Sequence, residues 1–157
     1  MVSQGERGRR KVLIATSAGG HWVQMRRLLP AFEGCSLVFA GVAEWLDADL
    51  LPAPYYRLRN VSRSDPAGFL VIARQLARVV RLERPDVVVT TGAAPGLMAL
   101  VMGKLLVRSR TVWIDSIANT ERLSLSGRLA RPVADAWLVQ WPHLARPGGP
   151  EHWGTVL

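Results

Sequence analysis

Residues 11–22, Lys-Val-Leu-Ile-Ala-Thr-Ser-Ala-Gly-Gly-His-Trp, constrain the fold more than any other part of this chain. The apolar half, ending at Thr16, reads as a buried strand. Ser17, Ala18, Gly19 and Gly20 then break it, and a helix follows near Trp22. Glycines have no Cβ, so backbone N–H groups and a helix N-terminus can approach an anionic group there. His21 stands where strand gives way to helix, which places its imidazole at the crevice above a sheet. The pattern fits phosphate or diphosphate recognition beside a proton-transfer residue, or a glycine pair that only caps the helix. It is not a dinucleotide fingerprint. Gly19 and Gly20 are adjacent, and neither G-x-G-x-x-G nor G-x-x-x-x-G-K-[ST] occurs anywhere in the chain.

The same alternation continues downstream. Strands are predicted at 12–16, 36–40, 87–91, 111–115 and 136–140, with a weaker one near 55–58. Helices are predicted at 22–29, 67–83, 95–107 and 124–131. Val87, Val88 and Val89 are apolar on both faces, as a central parallel strand requires. The fold class is therefore α/β, a doubly wound, Rossmann-like parallel sheet. Residues 1–10 are polar and basic and read as a disordered arm, residues 11–157 as one domain, and 147–150 (Pro-Gly-Gly-Pro) as the start of a tail.

Ligands of an open parallel sheet bind beyond the carboxyl ends of its strands. Three predicted strand ends carry suitable residues: the Ser17 to His21 turn, the Thr91-Gly92-Ala93-Ala94-Pro95-Gly96 turn, and the Asp115 to Asn119 segment with Ser116. Gly92 and Gly96 either wall the crevice or permit close helix-on-strand packing. Asp115 and Ser116 either face a ligand or cap a helix or loop.

The length of 157 residues suits one domain, and 49% apolar residues supply a core. Twenty basic against twelve acidic side chains give a net charge of +8, which favours acidic partners. Cys35 is the only cysteine, so no internal disulfide forms and a cytosolic setting is expected. Residues 95–107, the most apolar window, contain Lys104 and are too short to span a bilayer. Within 67–83, Phe69, Ile72, Leu76, Val79 and Val80 should face the sheet. Arg74, Arg78 and Arg81 form a second stripe, with Arg84 just beyond and Leu70 and Val71 alongside. Such a stripe suits an anionic membrane surface, or is simply a solvated face. Nucleic acid is not indicated: there is no RNP-type, zinc-finger or helix-turn-helix pattern.

Several stretches together resemble one family. They are Thr16 to His21, Pro85 to Gly92 (PDVVVTTG), Trp113-Ile-Asp-Ser116, Leu123-Ser-Leu-Ser-Gly-Arg128, Val139-Gln-Trp-Pro142 and His152-Trp-Gly-Thr155. Their order and spacing resemble the acceptor-binding, membrane-recruiting subunit of the split UDP-N-acetylglucosamine transferase of N-glycan synthesis. They equally resemble its bacterial PssD-type counterparts in exopolysaccharide and capsule synthesis. The glycine turn is also similar to a loop of the peptidoglycan enzyme that adds N-acetylglucosamine to lipid I.

The resemblance implies the N-terminal half of a GT-B glycosyltransferase, inactive alone, whose UDP-sugar-binding half is a separate polypeptide. The acceptor implied is a polyprenyl-diphosphate-linked saccharide. Ser17, Gly19, Gly20, His21, Gly92, Gly96 and Ser116 are then acceptor or phosphate contacts. His21 is a candidate general base, with phosphate binding and turn capping as its other roles. Arg74, Arg78 and Arg81 would face the membrane, at the inner face of the plasma membrane. No metal or other cofactor is expected, and transfer should invert the anomeric centre. Two positions depart from the pattern: Asp115 stands where the family often has Glu, and Asn119 where it often has Arg. The N-terminal membrane helix of eukaryotic members has no counterpart, so attachment is expected through the basic face, apolar surface or a third protein. The reading from another class is a non-catalytic Rossmann module that binds a nucleotide or sugar phosphate as regulator or scaffold. A nicotinamide-dependent oxidoreductase fails for want of the fingerprint and of an acidic ribose ligand.

Overall fold

The computed structural model describes residues 8–42, 53–61 and 65–156. Along the chain run β1 (Lys11–Thr16), α1 (Gly20–Leu28), β2 (Ser36–Gly41), β3 (Tyr55–Arg57), α2 (Pro66–Glu83) and β4 (Val87–Thr90). They are followed by α3 (Ala93–Val107), β5 (Arg110–Ile114), α4 (Leu125–Ala130) and β6 (Ala136–Leu138). The six strands form one parallel sheet in the order β3-β2-β1-β4-β5-β6. This is the doubly wound arrangement expected from the alternating pattern. The winding reverses between β1 and β4, where Ile14 pairs with Val89 and Ala15 with Thr90.

Both faces of the sheet are apolar, as the strand compositions require. On one side Leu13, Ala15, Val38, Val88 and Trp113 pack against Ile72, Leu76 and Val80 of α2, Leu100 of α3 and Ala130 of α4. On the other, Val12, Ile14, Phe39 and Val89 meet Met25 of α1, with Trp22 set edge-on to Phe39 at 6.0 Å. Each fully buried leucine such as Leu13 or Leu76 contributes about 1.5–3 kcal/mol of apolar burial. Within α2 the predicted inward row is buried except Phe69, which is half-buried.

The helix starts divide into two kinds. Asp65 caps α2 by accepting from Gly68 N at 2.7 Å, and Ser124 caps α4 by accepting from Gly127 N at 2.8 Å. Helices α1 and α3 begin instead on Gly19 and Gly92, without any side-chain cap and without an acidic residue in the first turn. Their backbone donors and positive dipole ends are left for something else.

Some boundaries differ from expectation. Helix α1 starts at Gly20, earlier than predicted, because Gly19 O accepts from Trp22 N at 3.0 Å and Val23 N at 3.1 Å. Strand β6 ends at Leu138, yet the chain beyond it is not a loose tail. The turn at 147–150 brings Glu151 beside β6, where Glu151 N donates to Trp137 O at 2.8 Å and Val139 N to Glu151 O at 2.9 Å. Gln140 then holds the following residues, accepting from Thr155 Oγ1 at 2.6 Å and Val156 N at 2.8 Å. Most of the predicted basic arm, residues 1–7, lies outside the described residues. Among the described residues no helix is long and apolar enough to cross a membrane.

Candidate functional site

The carboxyl ends of β1 and β4 are neighbours in the sheet, so the Gly19–Gly20 turn and the Thr91–Gly92 turn face one crevice. His21 joins them. Its Nδ1 lies 2.9 Å from Thr91 O, while the hydroxyl of Thr91, itself fully buried, donates to His21 O at 2.8 Å. A carbonyl oxygen only accepts, so Nδ1 carries the proton. In the neutral ring Nε2 is therefore the unprotonated nitrogen, and among the described residues it has no hydrogen-bond partner. That arrangement holds the ring in one tautomer with its basic nitrogen unused.

The glycines differ in what they permit. Gly92 has φ +135, and an added Cβ would lie 2.6 Å from His21 Cε1 and 2.9 Å from Nδ1. Only glycine leaves room for the imidazole. Gly19 has φ +71, and at both it and Gly20 no non-neighbouring atom of the described residues lies within 4 Å of where a Cβ would stand. Among the described residues the space above this turn is open. Ala93, the first residue of α3, also has positive φ (+64), a strained start of about 1–2 kcal/mol for an alanine. Strain of this kind tends to be kept at ligand-binding turns. Gly96 is buried, and a Cβ there would collide with Thr90 Oγ1. It sits at the helix-on-strand packing position, away from the open space of the other glycines. Ser17 is half-buried at the end of β1, with Thr16 Oγ1 donating to its carbonyl at 2.9 Å.

The β5 end is tied to the same helix by a residue the sequence did not single out. Gln24, buried in α1, donates from Nε2 to Asp115 O at 3.2 Å and accepts from Ile117 N at 3.0 Å. Its place three residues after His21 puts both on one helix face, which is the signal that could have exposed it. Asp115 is buried and committed to its own loop. It accepts from Ser124 Oγ at 2.7 Å, Ser124 N at 3.1 Å, Trp113 Nε1 at 3.3 Å and Asn119 Nδ2 at 3.3 Å. Ser116 Oγ accepts from Ala118 N at 3.3 Å. Both residues thus make the loop-capping contacts that were their alternative. Asn119 is used to hold Asp115.

The arginine stripe lies apart, on α2. Arg74, Arg78 and Arg81 are exposed, and Leu70 and Leu82 at either end of the stripe are 53% and 65% exposed. Among the described residues no group of three His, Cys, Asp or Glu side chains could hold a metal ion.

A family model described as "Oligosaccharide biosynthesis protein Alg14 like" matches residues 53–156. The UDP-N-acetylglucosamine transferase subunit ALG14 of Eremothecium gossypii is 34% identical over 190 residues, covering 99% of this chain and 84% of that protein. The Homo sapiens protein of the same name is 28% identical over 166 residues, covering 85% and 76% respectively. Among solved structures, MurG of Acinetobacter baumannii superposes with a TM-score of 0.75 at 14% identity, covering 93% of this chain but 45% of MurG. The chain thus spans less than half of that structure.

Fold and crevice together define a Rossmann-like α/β domain whose switch point presents two uncapped helix N-termini. The family match makes the assignment specific: the chain belongs to the Alg14-like family of oligosaccharide biosynthesis proteins.

Proposed function

We propose that this chain is the acceptor-side subunit of a two-polypeptide glycosyltransferase. It moves a sugar from a UDP-sugar onto a polyprenyl-diphosphate-linked saccharide, and a separate subunit binds the UDP-sugar. The observation that carries the reading is the His21–Thr91 pair, which joins two uncapped helix N-termini at the switch point. The relatives it matches, named as subunits of a UDP-N-acetylglucosamine transferase, support it.

In this reading the diphosphate of the acceptor lies on the backbone N–H groups at the starts of α1 and α3. The open volume over Gly19 and Gly20 admits it, and each dipole end favours the anion by about 0.3–1 kcal/mol. His21 Nε2 takes the proton from the acceptor hydroxyl as that oxygen attacks the anomeric carbon. The carbon–oxygen bond to UDP breaks on the opposite face, UDP leaves with the bonding electrons, and the configuration inverts. A positioned base of this kind is worth about 10²–10⁴ in rate. Gln24 and Asp115 hold the third loop against α1 and so keep the crevice in shape. The arginine stripe of α2, at about 1 kcal/mol per cation, holds the domain to an anionic membrane surface. In this reading the domain works peripherally on the inner face of the plasma membrane.

Affinity purification of the tagged chain from membranes of its native host tests this reading. The expected result is a stoichiometric second polypeptide that binds UDP-sugar, with transfer activity only in the complex. A lone soluble chain that binds nucleotide tightly would support the regulatory module instead.

A further inference from the structure

Away from the crevice, between α4 and the 147–150 turn beyond β6, lies a cavity of about 430 Å³. Four arginines line it: Arg122, Arg128, Arg131 and Arg146. Glu121 is the one carboxylate in its lining, so the wall is strongly cationic. All four arginines are exposed, and among the described residues none of them forms an ion pair. Trp137 forms part of the wall, and its indole Nε1–H is buried with no acceptor among the described residues. A buried donor without an acceptor is uncommon in folded proteins, and the Trp137 indole N–H resonance is therefore a sensitive reporter on this wall. Guanidinium groups recognise phosphoryl oxygens in a planar, bidentate manner, and several held together repel one another until an anion arrives.

We propose that the arginine-lined cavity beside Trp137 is a second anion site, separate from the glycine-turn crevice, that takes a phosphoryl group. The group belongs either to a soluble phosphate ester or to the head of an anionic lipid. Leu125 and Leu129, one turn apart on α4, are 65% and 55% exposed, and Leu129 directly follows Arg128. They would give a lipid an apolar contact that a soluble phosphate does not need. The inference does not depend on the transferase reading, because no residue of the His21 crevice takes part.

The test follows the indole N–H resonance of Trp137 in ¹⁵N-labelled full chain, assigned with Trp137→Phe. Inorganic pyrophosphate is one probe and phosphatidylglycerol vesicles, scored by co-sedimentation against phosphatidylcholine vesicles, the other. The expected result is a pyrophosphate-dependent shift of that resonance that survives in His21→Asn and is lost in Arg128→Gln/Arg131→Gln. Both arginines are exposed, and unchanged resonances of the other five tryptophans establish that the double variant is folded. If pyrophosphate leaves Trp137 unmoved but vesicle binding falls in the double variant and not in Arg74→Gln/Arg78→Gln, the phosphoryl group is that of a lipid. No response to either probe, or responses unchanged in Arg128→Gln/Arg131→Gln, would overturn the site.

Discussion

His21 and Thr91 hold each other by two hydrogen bonds of opposite sense. The imidazole Nδ1 donates to Thr91 O at 2.9 Å, and the Thr91 hydroxyl donates to His21 O at 2.8 Å. Seventy residues apart in sequence, they bind the first turn of α1 to the turn after β4. The pair is structural and, in the proposed mechanism, chemical: the bond that anchors the ring also decides which nitrogen is free to accept a proton.

Thr91→Val keeps the shape of a fully buried side chain and removes one of the two bonds. The loss should cost about 1 kcal/mol, near the net worth of a neutral hydrogen bond. For a chain of this size it lowers the melting temperature by about 2–4 °C. Thermal unfolding followed by circular dichroism measures this. A variant as stable as the parent would show that the Thr91 hydroxyl does not hold α1.

Gly92→Ala and Gly20→Ala should separate stability from ligand access. An alanine at 92 meets both a strained φ and the His21 ring, a cost of about 1–3 kcal/mol that also displaces the imidazole. At Gly20 the added methyl enters open space, so the melting temperature should be unchanged or slightly raised. The same methyl stands where the acceptor phosphate is proposed to lie, so Gly20→Ala should raise the acceptor KM in the assembled enzyme. Equal melting temperatures for the two variants would contradict the geometry of Gly92.

Acid should loosen the sheet at two carboxylates. Burial works to raise Glu83, but hydrogen bonds from Tyr56 at 2.5 Å and Lys11 at 3.0 Å outweigh it and hold Glu83 below its ordinary 4.5. Asp135 behaves alike: burial is outweighed by Lys104 and Thr111, and it sits below its ordinary 3.8. Both therefore bind protons more readily in the unfolded chain. Their stabilisation is complete above those ordinary values and is lost as pH falls through the lower folded ones. Urea unfolding between about pH 5 and pH 3 should show a falling stability whose slope is reduced in Glu83→Gln. An unchanged slope in that variant would remove Glu83 from the account.

The sheet was legible in the sequence because β1, β2 and β4 are apolar on both faces and β1 and β4 break into small residues before a helix. The glycine turn was legible for the same reason, and His21 stood out as the one titratable group inside it. Other parts depend on contacts across long stretches of chain. Gln24 reaches residues 91 and 93 positions away, and Thr91 looks like any turn threonine until His21 is placed beside it. Gly92 and Gly96 were alike on paper, since a glycine has no side chain to betray its surroundings. The fold separates them, with Gly92 under the imidazole and Gly96 against Thr90. Asp115 reads in the sequence as either a crevice carboxylate or a cap, because its four donors lie on residues 113, 119 and 124, brought round it only by the loop.

The most direct test of the central claim is the turnover number of the assembled enzyme, with donor subunit, UDP-sugar and lipid-diphosphate acceptor, carrying His21→Asn. The asparagine amide can still donate to Thr91 O, so the crevice keeps its tie, but no basic nitrogen remains. The account predicts a melting temperature close to the parent's and kcat reduced by about 10²–10⁴. A stable His21→Asn enzyme with parental kcat would contradict it and leave His21 as a structural clasp between two turns.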